Sequence, residues 1–310
     1  MNEPTIVPTP VPLTPAASTP PASITVSERK QARRENWKLI ARRPGFVIGS
    51  VILFVWIVCA IGGDRITPND PLHAGLVANN LKPGTTYNGV KLWLGSDTSG
   101  RDILSRIMAG ARDVLSVAPP AAVLGVLGGT VFGLLMGYYR GILDQILSRI
   151  IEALLSLPTL LIGLLAVTVF GKSNTVVIIV VAVLFTPIVA RTVRAAVLAE
   201  SDLDYVTSAR LRGESSGFIM FREILPNVSG PIIVELTVRI GYAVFTVATL
   251  SFLGAGPPPP SPDWGAQVSE SYHIMSAGIW WPTIFPAIAI ASLLFQSASA
   301  CCGTMLSVRR

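Results

Sequence analysis

Apolar residues along the chain come in long unbroken runs rather than in the short alternating or 3.6-spaced patterns of a soluble fold. Pro44–Ile61 is apolar throughout, and about 18 such residues suffice to carry one helix across a hydrocarbon layer. Five further runs of the same kind lie at 113–138, 146–170, 175–198, 228–254 and 282–306. The pattern predicts an all-α integral membrane protein with six transmembrane helices. It also predicts four regions: a cytoplasmic tail over 1–43, a first transmembrane helix over 44–63, an extracytoplasmic domain over 64–112, and a five-helix core over 113–310.

The polar stretches between the runs divide by character. Residues 1–28 are rich in Pro, Thr, Ala and Ser, with little to bury, and are expected to be disordered. The basic run that follows (Arg29, Lys30, Arg33, Arg34, Lys38, Arg42, Arg43) leads straight into the first span, with no small-residue cleavage site after it, so that span is expected to stay as an anchor. Residues 64–112 hold turn signals at Thr67-Pro68-Asn69-Asp70, Lys82-Pro83-Gly84 and Asn88-Gly89 among aromatic and apolar residues, which predicts a small folded cap. Residues 199–227 form a polar yet helix-like loop.

Composition and charge sharpen this picture. Of 310 residues, 51% are hydrophobic and only 14% charged, against roughly 25% in a soluble domain, so much of the surface must face lipid. The net charge of +6 does not point to nucleic acid, because the basic residues flank apolar runs. With the tail placed inside, the basic run, Arg140, Arg149, the loop arginines and Arg309–Arg310 share the inner side, which puts both termini in the cytoplasm by the positive-inside rule. Cys59, Cys301 and Cys302 lie in or near apolar runs, without His or acidic clusters at metal spacing, and read as packing residues.

Chemistry concentrates in a few places. Ala121, Gly125, Gly129, Gly133 and Gly137 recur every fourth residue and form one helix face on which another backbone can approach closely. Pro119 and Pro120 mark a kink or the start of that helix. In the inner loop, Asp202–Arg212 can form a helix that Gly213 stops, and Ser215 or Ser216 can cap a second short helix ending before Pro226. That second helix carries Phe218, Ile219, Met220 and Phe221, apolar residues that need cover, which marks the loop as a docking element for a cytosolic partner. Glu235 and Arg239 stand four apart within the fifth span and read as a buried ion pair on one helix face, with a proton or ion relay as the alternative. Gly213-Glu-Ser-Ser-Gly217 fits a hydrolase pattern, but a helix precedes it, and His73 and His273 fall on the other side of the membrane. Gly171-Lys-Ser173 is no phosphate loop, since Ala166 stands where Gly is required. The chain is therefore expected to be non-catalytic and to bind neither ATP nor a metal itself.

The inner loop resembles that of bacterial ABC importer permeases. Thr207-Ser208-Ala209 stands for their Glu-Ala-Ala triplet, Gly213 for the following glycine and Leu225-Pro226 for the ending, with the spacing from glycine to proline kept. Other segments are similar to the dipeptide and oligopeptide permeases of the DppC/OppC type, which belong to the MetI-like permeases. These are Trp93-Leu-Gly-Ser-Asp-Thr-Ser-Gly-Arg-Asp-Ile-Leu-Ser-Arg106, Gly110-Ala-Arg112, Arg149-Ile-Ile-Glu152 with Leu157-Pro158, Leu250-Ser-Phe-Leu-Gly254, Asp263-Trp-Gly265, and Trp280-Trp-Pro282 with Phe285-Pro286. The likeness covers about residues 45–300; the Pro-rich tail is extra, and Ser299–Leu306 replaces the usual charged ending. The resemblance implies a permease subunit that moves di- or oligopeptides or related small solutes. It implies as partners a second similar permease, two cytosolic ATPase subunits that hold the ATP and Mg, and an extracytoplasmic solute-binding protein, all in a lipid membrane. It makes Ala209, Gly213, Ser215, Phe218, Phe221, Leu225 and Pro226 the ATPase-coupling residues. An ATP-independent secondary transporter or channel is the rival, and calls for functional charges that these spans, Glu235 and Arg239 apart, nearly lack.

Overall fold

The computed structural model describes residues 44–308, apart from 74–76, 88 and 259 and the side chains of Pro44, Asp64 and 298–308. The Pro-rich and basic tail, Asn88 of one turn and the side chains of Cys301 and Cys302 lie outside the described residues, as do those of Ser299–Leu306. The described chain is built from α-helices, with one two-residue hairpin, β1 (Thr86–Tyr87) and β2 (Val90–Lys91), paired antiparallel with Tyr87 opposite Val90.

Helix α1 (Pro44–Gly62) is peripheral: only 11% of its apolar window is buried, against 56% for the windows of α2 (Ile103–Tyr139) and α5 (Asn174–Ser201). Val51, Phe54, Val55 and Ile61 point outward, which suits lipid, where an apolar side chain needs no cover. Its inward anchor is Trp56, whose Nε1 donates to Ser292 Oγ at 2.9 Å and whose ring meets Trp264 edge-on at 4.7 Å.

The core is the pair α2 and α5. Ala121, Val126, Val181, Phe185, Val189 and Val193 are buried along it. The contact is close because α2 presents glycines there: a Cβ on Gly129 would lie 2.5 Å from Val189 Cβ, and one on Gly133 2.7 Å from Val193 Cβ. Helix α7 (Ser229–Leu250) and helix α9 (Trp281–Val308) complete the main apolar cluster through Val244, Leu250, Ala289 and Leu293.

Two of the expected spans are corrected. The second begins at Ile103, not 113, because Asp102 caps the helix and accepts from Ser105 N; Pro119 and Pro120 lie well inside it, neither starting nor ending it. The third, expected as one helix over 146–170, is two: α3 (Gly141–Leu155) and α4 (Thr159–Phe170), bent by 86°. The break falls at Leu157-Pro158, where proline lacks a donor and pushes the preceding residue out of the helical region. Among the described residues four helices are long and apolar enough to cross a membrane, five if the bent pair counts as one; in α9 the apolar stretch Trp281–Ser297 is shorter.

Candidate coupling surface and charged clusters

The polar segment after α5 is tied down before it is exposed. Helix α6 (Asp204–Leu211) buries Val206 and Ala209 against Val193, Val197, Ile219, Ile224 and Val228, so its base is continuous with the α2–α5 core. Ala209, one of the expected coupling residues, is fully buried and packs beneath the surface. Tyr205 adds a polar tie: its hydroxyl donates to Glu200 Oε1 at 2.8 Å and accepts from Asn227 Nδ2 at 3.0 Å. Burial and the Glu200 bond push the Tyr205 phenol up to about 12.

Gly213 ends α6 in the left-handed region, φ +77°, with Glu214 N donating to Ala209 O at 3.3 Å. A bond reaching back five residues is the signature of a glycine-terminated helix. Ser215 Oγ then accepts from Phe218 N and caps the next turn. From there the helical path, expected to end before Pro226, continues past it. It runs through a π-helical stretch, Ile219–Ile224, into a single α-turn, Leu225–Asn227, which contains Pro226. Ile219 and Met220 are buried by the chain itself, whereas Phe218 and Phe221 remain exposed. Leu203 and Leu211 (84% exposed) are bare as well, on a segment that also carries Arg210, Arg212 and Arg222. Leu225 is half-buried, and Pro226 and Ser215 are at the surface.

On α2, Gly125 and Gly137 continue the close approach to α5, with would-be Cβ contacts of 2.9 Å to Phe185 Cβ and 2.6 Å to Val197 Cγ1. On α7, Arg239 Nε donates to Glu235 Oε2 at 2.9 Å, and the guanidinium lies over the rings of Phe185 and Tyr242.

A further cluster was missed by sequence reasoning. Arg101 and Arg106 both grip Asp97 and Glu270: Arg101 Nε and Arg106 Nη1 reach Asp97 Oδ2 at 2.7 and 2.6 Å, and Arg101 Nη2 and Arg106 Nη1 reach Glu270 Oε2 at 2.6 and 3.0 Å. Arg106 also donates to Ser261 O at 3.0 Å and is 1% exposed. Glu270 belongs to α8 (Trp264–Ser271), whose Trp264 is wholly buried and donates to Ile107 O, so the network joins the segment before α2 to the segment after α7. At the start of α8, burial pushes the Asp263 carboxyl above its ordinary value, although Ala266 N caps it at 2.9 Å. The four-residue spacing of Asp97 and Arg101 was a visible signal; Glu270, more than 160 positions away, had none.

Residues 129–299, from within α2 to within α9, match the family model described as the binding-protein-dependent transport system inner membrane component. The chain belongs to that family. Relatives agree along nearly the whole length. The dipeptide transport system permease protein DppC of Haemophilus influenzae is 36% identical over 266 residues, 86% of this chain and 90% of the relative. The glutathione transport system permease protein GsiD of Pectobacterium atrosepticum is 35% identical, covering 87% and 89%. DppC of Bacillus subtilis is 32% identical, covering 84% and 80%. This is thus a DppC-like ABC importer permease, a multi-pass component of the cell membrane and a transport protein rather than an enzyme. In this permease Gly129, Gly133 and Gly137 of the α2–α5 contact, and the segment built on it, fall within the matched region, while Gly125 precedes it.

Proposed function

We propose that this permease carries di- or oligopeptides or closely related solutes inward, and that its 199–227 segment is gripped by a cytosolic ATPase. The observation that carries the reading is a set of bare apolar side chains on a firm base: Leu203, Leu211, Phe218 and Phe221 are exposed, while Val206, Ala209, Ile219 and Ile224 of the same segment are buried in the α2–α5 core. Apolar residues on a segment expected to face the cytoplasm call for a soluble partner. A base packed into two long helices turns movement of that partner into movement of the helices. The chain crosses six times in this reading, the bent pair α3–α4 and α9 included, with both ends inside. A second similar permease, two ATPase subunits that hold the ATP and Mg, and a solute-binding protein facing residues 64–112 and 256–280 complete the assembly. Names of relatives for dipeptides and glutathione support a small peptide-like cargo.

The test is site-directed cross-linking. In a chain whose natural cysteines are replaced, Leu211→Cys and Phe221→Cys should each form a bis-maleimide adduct with cysteines on the co-expressed ATPase. Phe54→Cys, on the outer face of α1, should not. Adducts from Phe54→Cys only, or from none of the three, would refute the docking assignment.

A further inference from the structure

The second half of helix α7 buries one side: Gly241, Ala243, Val244, Val247, Ala248 and Leu250 are buried, while Tyr242 and Phe245 are exposed. At 3.6 residues per turn, Glu235, Arg239, Tyr242, Thr246 and Thr249 fall in one arc, a polar stripe about 21 Å long at 1.5 Å per residue: Tyr242 is exposed, Thr246 and Thr249 are half-buried, and the side chains of Arg239 and Glu235 are only 11% and 15% exposed. An ion pair and hydroxyls at mid-span are costly against lipid, and such residues line bundle interiors or water-filled cavities. We infer that this stripe lines the aqueous route of the solute, and that Arg239 takes the solute's carboxylate.

The chemistry is specific. Among the described residues Arg239 commits Nε to Glu235, and no acceptor meets its two terminal nitrogens. A planar guanidinium with free terminal donors suits a carboxylate. Thr246 and Thr249 donate their hydroxyl protons back to Tyr242 O and Phe245 O, both at 2.8 Å, so their lone pairs face the route as acceptors for an ammonium group or water. Glu235 balances Arg239 when the route is empty, and a zwitterionic peptide meets both signs at once. The outer part of the stripe adjoins an open groove between α7, α8 and α9 lined by Phe245, Phe252, Val268 and Ile290, a place for an apolar side chain.

This site rests on the importer reading, and its test is kept separate from import. In a chain without its natural cysteines, Thr246→Cys and Thr249→Cys are exposed in membrane vesicles of both orientations to a membrane-impermeant maleimide. Both should label, while Phe54→Cys should not. Alanyl-alanine, added without any binding protein, should slow labelling of Thr246→Cys at least about threefold, and its C-terminal amide should not, because an unpaired polar site rejects the analogue that lacks the partner group. Adding Arg239→Gln should leave labelling intact and abolish the protection; Arg239→Lys should keep part of it, an outcome that a packing role for Arg239 does not produce. Absence of labelling at both positions, or equal protection by the amide, would overturn the assignment. If labelling and protection stand while the assembled complex neither imports peptide nor hydrolyses ATP, the importer reading falls and the site remains.

Discussion

Arg106→Met tests the buried charge network with the side chain's length nearly kept. It removes the bonds from Nη1 to Asp97 (2.6 Å) and Glu270 (3.0 Å) and from Nη2 to Ser261 O (3.0 Å). Arg106 is 1% exposed and Asp97 2%, so solvent cannot replace what is lost. Taking one partner from a buried ion network costs about 3–5 kcal/mol. Arg101 still holds Asp97 and Glu270, which sets the expectation at the lower end, about 3 kcal/mol. At about 2–4 °C per kcal/mol for a domain of this size, the thermal midpoint should fall by roughly 6–12 °C. The assay is the fraction of purified permease that stays monodisperse in mild detergent after a temperature series, read as a relative midpoint because unfolding from detergent is irreversible. The control is Arg149→Met, which breaks the exposed Arg149–Glu152 pair (side chains 85% and 63% exposed) and should cost about 0–1 kcal/mol. Equal shifts for the two variants would refute the claim that the network clamps the segment before α2 to α8.

Three further outcomes follow. Gly129→Leu forces a side chain against Val189 and the backbone of Ala190 and should lower the same midpoint by the equivalent of about 1–3 kcal/mol, whereas Gly217→Ala, with open space around it, should stay near wild type; a pulse of thermal stability on both variants decides it. Because the Asp263 carboxyl is raised by burial, the folded state holds its proton more tightly than the unfolded chain, so stability falls as pH rises from the ordinary value of 3.8 towards the folded one. Asp263→Asn should therefore flatten the decline in midpoint as pH rises above the ordinary carboxyl value of 3.8, and an unchanged slope would contradict that. Gly213→Arg has room for its side chain but must adopt φ +77°; it should insert normally, measured by membrane yield, and lose solute-stimulated ATP hydrolysis of the assembled complex.

Four long apolar helices were legible in outline because lipid imposes a simple demand: long apolar runs with the backbone satisfied internally. Proline positions were legible, but their consequences were not. Pro119 and Pro120 pass through α2 unbroken, while Pro158 bends α3 from α4 by 86°. The surroundings differ: Val117, Ala118, Ala121 and Ala122 on either side of the two prolines are buried in one cluster with Val177, Val180 and Val181 of α5. In the inner loop the glycine stop at Gly213 and the cap at Ser215 could be read locally, each depending on a residue within five positions. Which of Phe218, Ile219, Met220 and Phe221 stay bare could not, because burial of Ile219 and Met220 depends on α6 and the core folding beneath them. The Arg101–Arg106 network escaped for the same reason: Glu270, the carboxylate both arginines share with Asp97, arrives from α8.

The central claim, that the 199–227 segment transmits the work of an ATPase, is tested most directly by Phe221→Asp. The variant places a charge on a side chain that is 56% exposed and outside the core, so the fold should be kept. The measurement is ATP hydrolysis by the complex reconstituted in proteoliposomes with its binding protein, with and without peptide. The account predicts normal membrane yield of the permease and loss of most peptide-stimulated hydrolysis. Full stimulation in the variant, with the ATPase still bound, would contradict it.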